Sequence, residues 1–218
     1  PYHDGMAAVS PDGSILIFTR SNHEADKAGR LLTDDSDVNN TTLFYARKGM
    51  EEWERVVEIG LSEGANMFAH PAWSPDGSRL YFSSDMPGGQ GGMDLWYIRR
   101  NGTTWEYPPV NMGLKVNSRG DDVFPSMKGN DTLFFASDAQ ITFGGLDILF
   151  SVRDSTGAWG SPMHLDYPLN SQSDDFALTF NPDGKSGLVS SDRFGYDRLF
   201  NFNIVERPLL VELSLIHI

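Results

Sequence analysis

The sequence predicts an all-β protein: a β-propeller fragment of about four blades, each a four-stranded antiparallel sheet, in an incomplete ring. Three observations carry this. Strand-like apolar runs are separated by Asp-Gly turns, as in Ser74-Pro75-Asp76-Gly77 before Leu80-Tyr81-Phe82, and Asp-Gly tolerates the backbone that tight hairpins demand. The motifs repeat: Asp85 of Ser83-Ser84-Asp85 recurs 53 residues later as Asp138 and 54 further on as Asp192. Asp94 of Gly91-Gly92-Met93-Asp94 recurs as Asp147 and, more loosely, as Asp197. Four short strands in each repeat of about fifty residues describe a propeller blade, a small sheet that must press its faces on neighbours.

The first unit, about 1–59, opens at His3-Asp4-Gly5 and turns at Ser10-Pro11-Asp12-Gly13. Ile15 to Phe18 matches Leu80 to Phe82, Thr42-Leu43-Phe44-Tyr45 matches Asp94-Leu95-Trp96-Tyr97, and Trp53 with Val56-Val57 supplies a fourth strand. β-Branched and aromatic residues between Gly, Pro and Asn clusters make these strands. Between the second and third, Ser21 to Asn40 reads as a long polar insertion that leaves the fold intact if removed.

The second unit, about 66–116, continues through Thr104-Trp105-Glu106. The third, about 117–169, carries Thr132 to Phe135, Asp147 to Phe150 and Trp159. Trp53, Trp105 and Trp159 recur at steps of 52 and 54, each expected on the outer strand of its unit. Asn117-Ser118 before Asp121-Asp122 returns as Asn170-Ser171 before Asp174-Asp175, which opens the fourth unit, about 170–206. Residues 207–218 read as an exit strand into a following domain. Four units do not readily close a ring of ordinary size, so further blades are expected before Pro1.

The balance of 17 basic against 30 acidic residues, net −13, repels a phosphate backbone and argues against nucleic acid. Without cysteine there is no disulfide framework and no thiol nucleophile. No apolar run is long enough to span a bilayer, and neither an initiating Met nor a signal peptide is present, so the chain reads as a soluble piece of a longer protein.

The repeated aspartates follow glycines and precede apolar strands, where a carboxylate can accept backbone N–H hydrogen bonds and fix a loop. The rival is calcium, because 88–94 resembles the nonapeptide GGxGxD, although one residue too many precedes Asp94 and the motif is not tandem. Gly60-Leu61-Ser62-Glu63-Gly64 satisfies the letters of a nucleophile elbow without the strand and helix such an elbow needs. Adjacent Asp-Gly differs from the Asp box of sialidase-like propellers. His3, His23, His70, His164 and His217 show no zinc-ligand spacing. Neither a catalytic residue nor a cofactor is assigned.

Taken together, SPDG, LYFSSDMPGGQGGMDLW, NMGLKVNSRGDDVFPS, LFFASD, FGGLDI and NSQSDDFA resemble the WD-like, TolB-like propeller repeats of OmpA-family cell-envelope proteins of Gram-negative bacteria, of the type IX secretion and gliding-associated kind. The resemblance runs from Tyr2 to about Glu206. It implies a non-catalytic protein-interaction scaffold in the periplasm, associated with the outer membrane but not inserted in it. Its partners would be other envelope proteins, and peptidoglycan would be bound only through a domain outside this stretch. The first unit departs from the pattern, lacking Gly-Gly-x-Asp before Leu43, as does Ala139-Gln140 after Asp138. The alternative is the N-terminal propeller of a serine peptidase, or a propeller hydrolase.

Overall fold

The computed structural model describes residues 4–21, 41–61, 66–140 and 142–205. Most of the Ser21–Asn40 insertion, Ser62 to Gly64 of the elbow-like motif, His3, His23, His217 and the exit strand at 207–218 lie outside the described residues.

Each Asp-Gly turn folds by one local mechanism. In Ser74-Pro75-Asp76-Gly77 the Asp76 carboxylate accepts the Ser74 hydroxyl at 2.6 Å and the Ser78 N–H at 2.9 Å. Gly77 meanwhile takes a φ of +68° and donates its N–H to Ser74 O. Asp12 repeats this with Ser10 and Ser14, and those hydrogen bonds hold its carboxyl below the usual carboxylate range. Asp183 repeats it again, accepting from the N–H of Lys185 and the hydroxyl of Ser186. Each turn reverses the chain and sets the register of the hairpin that follows.

Four antiparallel sheets result, each wound in chain order. The first comprises β1 (Asp4–Val9), β2 (Ile15–Ser21), β3 (Thr41–Lys48) and β4 (Trp53–Glu58). The second comprises β5 (Phe68–Trp73), β6 (Arg79–Ser84), β7 (Asp94–Asn101) and β8 (Thr104–Asn111). The third comprises β9 (Asp122–Lys128), β10 (Thr132–Ser137), β11 (Asp147–Val152) and the short β12 (Met163–His164). Helices are absent among the described residues. The sheets are arranged as four propeller blades, and inner strands pack in sequence, β1 on β5 and β5 on β9.

The fourth blade is described through its first three strands. It comprises β13 (Asp175–Phe180), β14 (Ser186–Ser191) and β15 (Arg198–Asn203), so three strands are formed among the described residues. β9 packs on β13, but no comparable packing joins β13 to β1 among the described residues. Trp159 takes the expected outer position, opposite Arg153 as Trp105 lies opposite Arg100 and Trp53 opposite Lys48, but as a single bridge rather than within a continuous strand. The Arg153 guanidinium lies 4.3 Å from its ring, and β12 pairs with β11 further along the same edge. Trp105 lies in β8 and stacks on Trp73 at 5.7 Å, whereas Trp53 opens β4 and is exposed.

The cores lie between blades because successive residues of a strand point to opposite faces. Leu80 and Phe82 turn back to meet Ile17 and Leu43 of the first blade. Tyr81 and Leu95 turn forward to meet Val116, Leu133 and Phe135. Phe134 and Ile148 do the same against Leu178 and Val189 of the fourth. Each fully buried large side chain contributes about 1.5–3 kcal/mol, so three such layers bind the blades into one body.

Gly91 lies where the second blade meets the third, and a Cβ there would stand 2.5 Å from the Arg119 and Gly120 backbone. Gly60 has open space around its missing Cβ and no left-handed backbone. Gly91→Ala should lower stability by about 1–3 kcal/mol, as overpacking against backbone does, while Gly60→Ala stays near neutral. Denaturant unfolding of both variants measures the contrast.

Candidate functional site

At the end of the propeller where the inner strands begin, carboxylates link backbone to backbone and one blade to the next. Asp85, Asp138 and Asp192 follow the second strands of their blades. Each accepts the N–H of the residue entering the inner strand: Met67 at 2.7 Å, Asp121 at 2.8 Å and Asp174 at 2.8 Å. The entering residue then reaches across to the preceding blade. Asp121 Oδ1 accepts the Met93 N–H at 2.7 Å, and the Asp122 N–H returns to Met93 O at 2.6 Å. One blade on, Asp174 Oδ1 accepts the Leu146 N–H at 2.9 Å while the Asp175 N–H reaches Leu146 O at 2.6 Å.

The doubled glycines make this approach feasible. A Cβ on Gly92 would run into Asp121 Oδ1, and one on Gly145 into Asp174 Oδ1. Gly-Gly-x-Asp is therefore one half of a contact whose other half is the Asp-Asp pair of the next unit. Before Leu43, where the first unit lacks the motif, the Thr41 hydroxyl donates to Phe68 O at 3.2 Å and serves the same junction.

Asp94 and Asp147, fully buried, hold the loops from below. Asp94 accepts the N–H groups of Gln90 and Gly91 and the amide groups of Asn111 and Asn117. Asp147 accepts the N–H groups of Phe143 and Gly144 and lies 3.2 Å from His164 Nε2. Both oxygens of Asp94 thus face donors, an environment for a carboxylate held by N–H groups rather than for a cation. No group of three His, Asp or Glu side chains suited to a metal occurs among the described residues. Asp197 stands elsewhere: Arg198 pairs with Ser191 where Asp94 and Asp147 pair with Ser84 and Ser137, leaving Asp197 exposed one position earlier.

Asn117 and Asn170 act as substitute ladder partners. The amide of Asn117 accepts from Leu95 N–H and donates to Leu95 O, and Asn170 does the same for Ile148. Asp122 and Asp175 are the other half of the doublets. Arg193 donates to Asp175 Oδ1 at 2.6 Å and to Leu169 O. In the third blade Gln140 reaches the equivalent Val116 O, and Asp122 Oδ1 is buried without a partner. Burial raises the Asp122 carboxyl above the usual carboxylate range.

These contacts frame a cavity of about 570 Å³ where residues of all four blades converge, within the size range of ligand pockets. Its rim carries Asp121, Asp138 and Asp174, and its wall is largely apolar, including Met67, Met93 and Leu146. His70 and Phe124 stack at 3.8 Å between ring centroids, and Phe124 meets Phe176 at 5.0 Å, so three blades join rings at the axis. His70, Phe124 and Ala177 occupy equivalent bulge positions on β5, β9 and β13 and have φ of +55°, +54° and +52°. Left-handed backbone at non-glycine residues is costly, and its recurrence around one axis marks a place the surrounding packing holds rigidly.

With the geometry in view, comparison with solved structures gives the fold a name. TolB from Acinetobacter baumannii superimposes with a TM-score of 0.58 at 14% identity, over 93% of this chain and 41% of that one. A putative TolB from Agrobacterium tumefaciens gives 0.57 at 14% identity, over 93% and 59%. The fold is that of a TolB-like β-propeller. The chain spans 41% and 59% of the two TolB chains. An endo-arabinase from Bacteroides thetaiotaomicron shares the fold at a TM-score of 0.54 and 12% identity, over 93% of this chain and 74% of that one, so TolB-like architecture and a hydrolase propeller both lie near it. Neither a family model nor a curated protein matches the chain.

The TolB-like propeller also carries a pH-sensitive side chain at its axis. Burial depresses the His70 imidazole from 6.5 to about 4. Between those values the unfolded chain binds a proton that the folded chain refuses, so this contribution to stability falls as pH drops from about 6.5 to 4. The full loss is about 3 kcal/mol. His70→Asn, whose side chain tolerates left-handed backbone, should flatten that part of the profile in denaturant titrations across this window.

Proposed function

We propose that this protein is a non-catalytic β-propeller scaffold that docks partner proteins at its channel mouth, as the propeller portion of a periplasmic, outer-membrane-associated protein of the OmpA family. The observation that carries the reading is the use made of the mouth carboxylates. Asp121, Asp138 and Asp174 each spend one oxygen on a backbone N–H that fixes a loop or a blade junction. A rim so held presents a fixed surface, and rigid presentation reduces the ordering cost that binding must overcome.

The TolB-like fold supports the architecture, and the sequence resemblance supports the envelope setting and a part in a secretion or anchoring complex. The partners are then other envelope proteins, with peptidoglycan reached through a separate domain of the parent protein. A photo-crosslinking residue at Met67 or Met93 in the parent protein should give discrete protein adducts in intact cells. The same residue at Tyr107 or Met163, exposed on outer strands, should give few. Adducts confined to the outer-strand positions would contradict docking at the mouth.

A further inference from the structure

The charge and shape of the mouth narrow what can dock there. One oxygen of each rim carboxylate is committed to a backbone N–H; the second oxygen of Asp121, Asp138 and Asp174 accepts no hydrogen bond among the described residues. Among the described residues no Lys or Arg lines the cavity, and His70, depressed to about 4, is neutral at ordinary pH. The cavity therefore sets the apolar side chains of Met67, Met93 and Leu146 beside three carboxylates that lack a counter-charge among the described residues. A long side chain with an aliphatic stem and a cationic head satisfies both halves: the stem covers apolar wall and the head meets the free oxygens.

We infer that the channel mouth is a receptor for a lysine or arginine side chain presented by a partner polypeptide. The inference rests on the scaffold reading for its polypeptide partner, and on the complementarity of charge for its chemistry. Methionine-rich walls repack around different neighbours, so selectivity resides in the carboxylates, while the residues flanking the cation are read loosely.

The test uses the full chain and four blocked tripeptides, acetyl-Leu-X-Leu-amide, in which X is lysine, arginine, norleucine or glutamate, with binding followed by calorimetry or amide NMR shifts. The lysine and arginine peptides should bind at least tenfold more tightly than the norleucine peptide, and the glutamate peptide should bind least. Asp138→Asn with Asp174→Asn removes two charges and keeps the carbonyl oxygens that accept the Asp121 and Leu146 N–H groups. In that variant the tenfold preference should collapse, with amide shifts away from the mouth unchanged. Should the variant fold poorly, raising the salt several-fold on the unmodified chain should erode the same preference, because exposed charges are screened.

Equal binding of the norleucine peptide, a preference that survives both the variant and salt, or no binding of any peptide would each overturn the inference. Crosslinked adducts at Met67 or Met93 without a cationic preference would sink this inference and leave the scaffold reading standing. A cationic preference without adducts would sink the scaffold reading, and with it the polypeptide partner inferred here.

Discussion

The structure depends on one contact made twice: a carboxylate at the entry of an inner strand accepts the loop N–H of the preceding blade. Asp121 on Met93 and Asp174 on Leu146 are that contact, and each is reinforced by a return hydrogen bond from the next residue's N–H. Apolar layers supply the bulk of the association between blades, but burial is non-directional and would tolerate one sheet sliding on another. Directional hydrogen bonds to fixed peptide groups do not. They hold the tilt of each blade, and with it the spacing of the inner strands around the axis.

That arrangement ties architecture to function. The residues that fix the blades also form the rim, so among the described residues the mouth is shaped by the blade junctions. The same constraint explains why the inner strands tolerate left-handed backbone at His70, Phe124 and Ala177. Packing on both sides of each bulge over-determines its conformation, and the rings of His70, Phe124 and Phe176 are brought together as a result.

Much of this was legible in the sequence, for physical reasons. Asp-Gly turns and apolar triplets are local signals, and they located the hairpins; the 53-residue period marked the blades. The Gly-Gly-x-Asp and Asp-Asp doublets were visible as repeats, but their partnership was not, since the two halves are 28 residues apart and meet only when blades stack. The recurring interval between them was the signal that could have joined them. Spacing misled at Asp197, where a shorter loop before β15 brings Arg198 to the paired position. It held at Trp159, which lies opposite Arg153 as Trp105 lies opposite Arg100. His70 and Phe124 carried no sequence signal, for their role comes from a bulge that turns side chains toward the axis.

Native-state hydrogen exchange at the Met93 and Leu146 amides tests the central claim most directly. If these carboxylates hold the blades together, both amides should exchange only through global unfolding, at the rate of the core strands β6 and β10. Exchange of either amide at the rate of an exposed loop, with those strands still protected, would contradict the account.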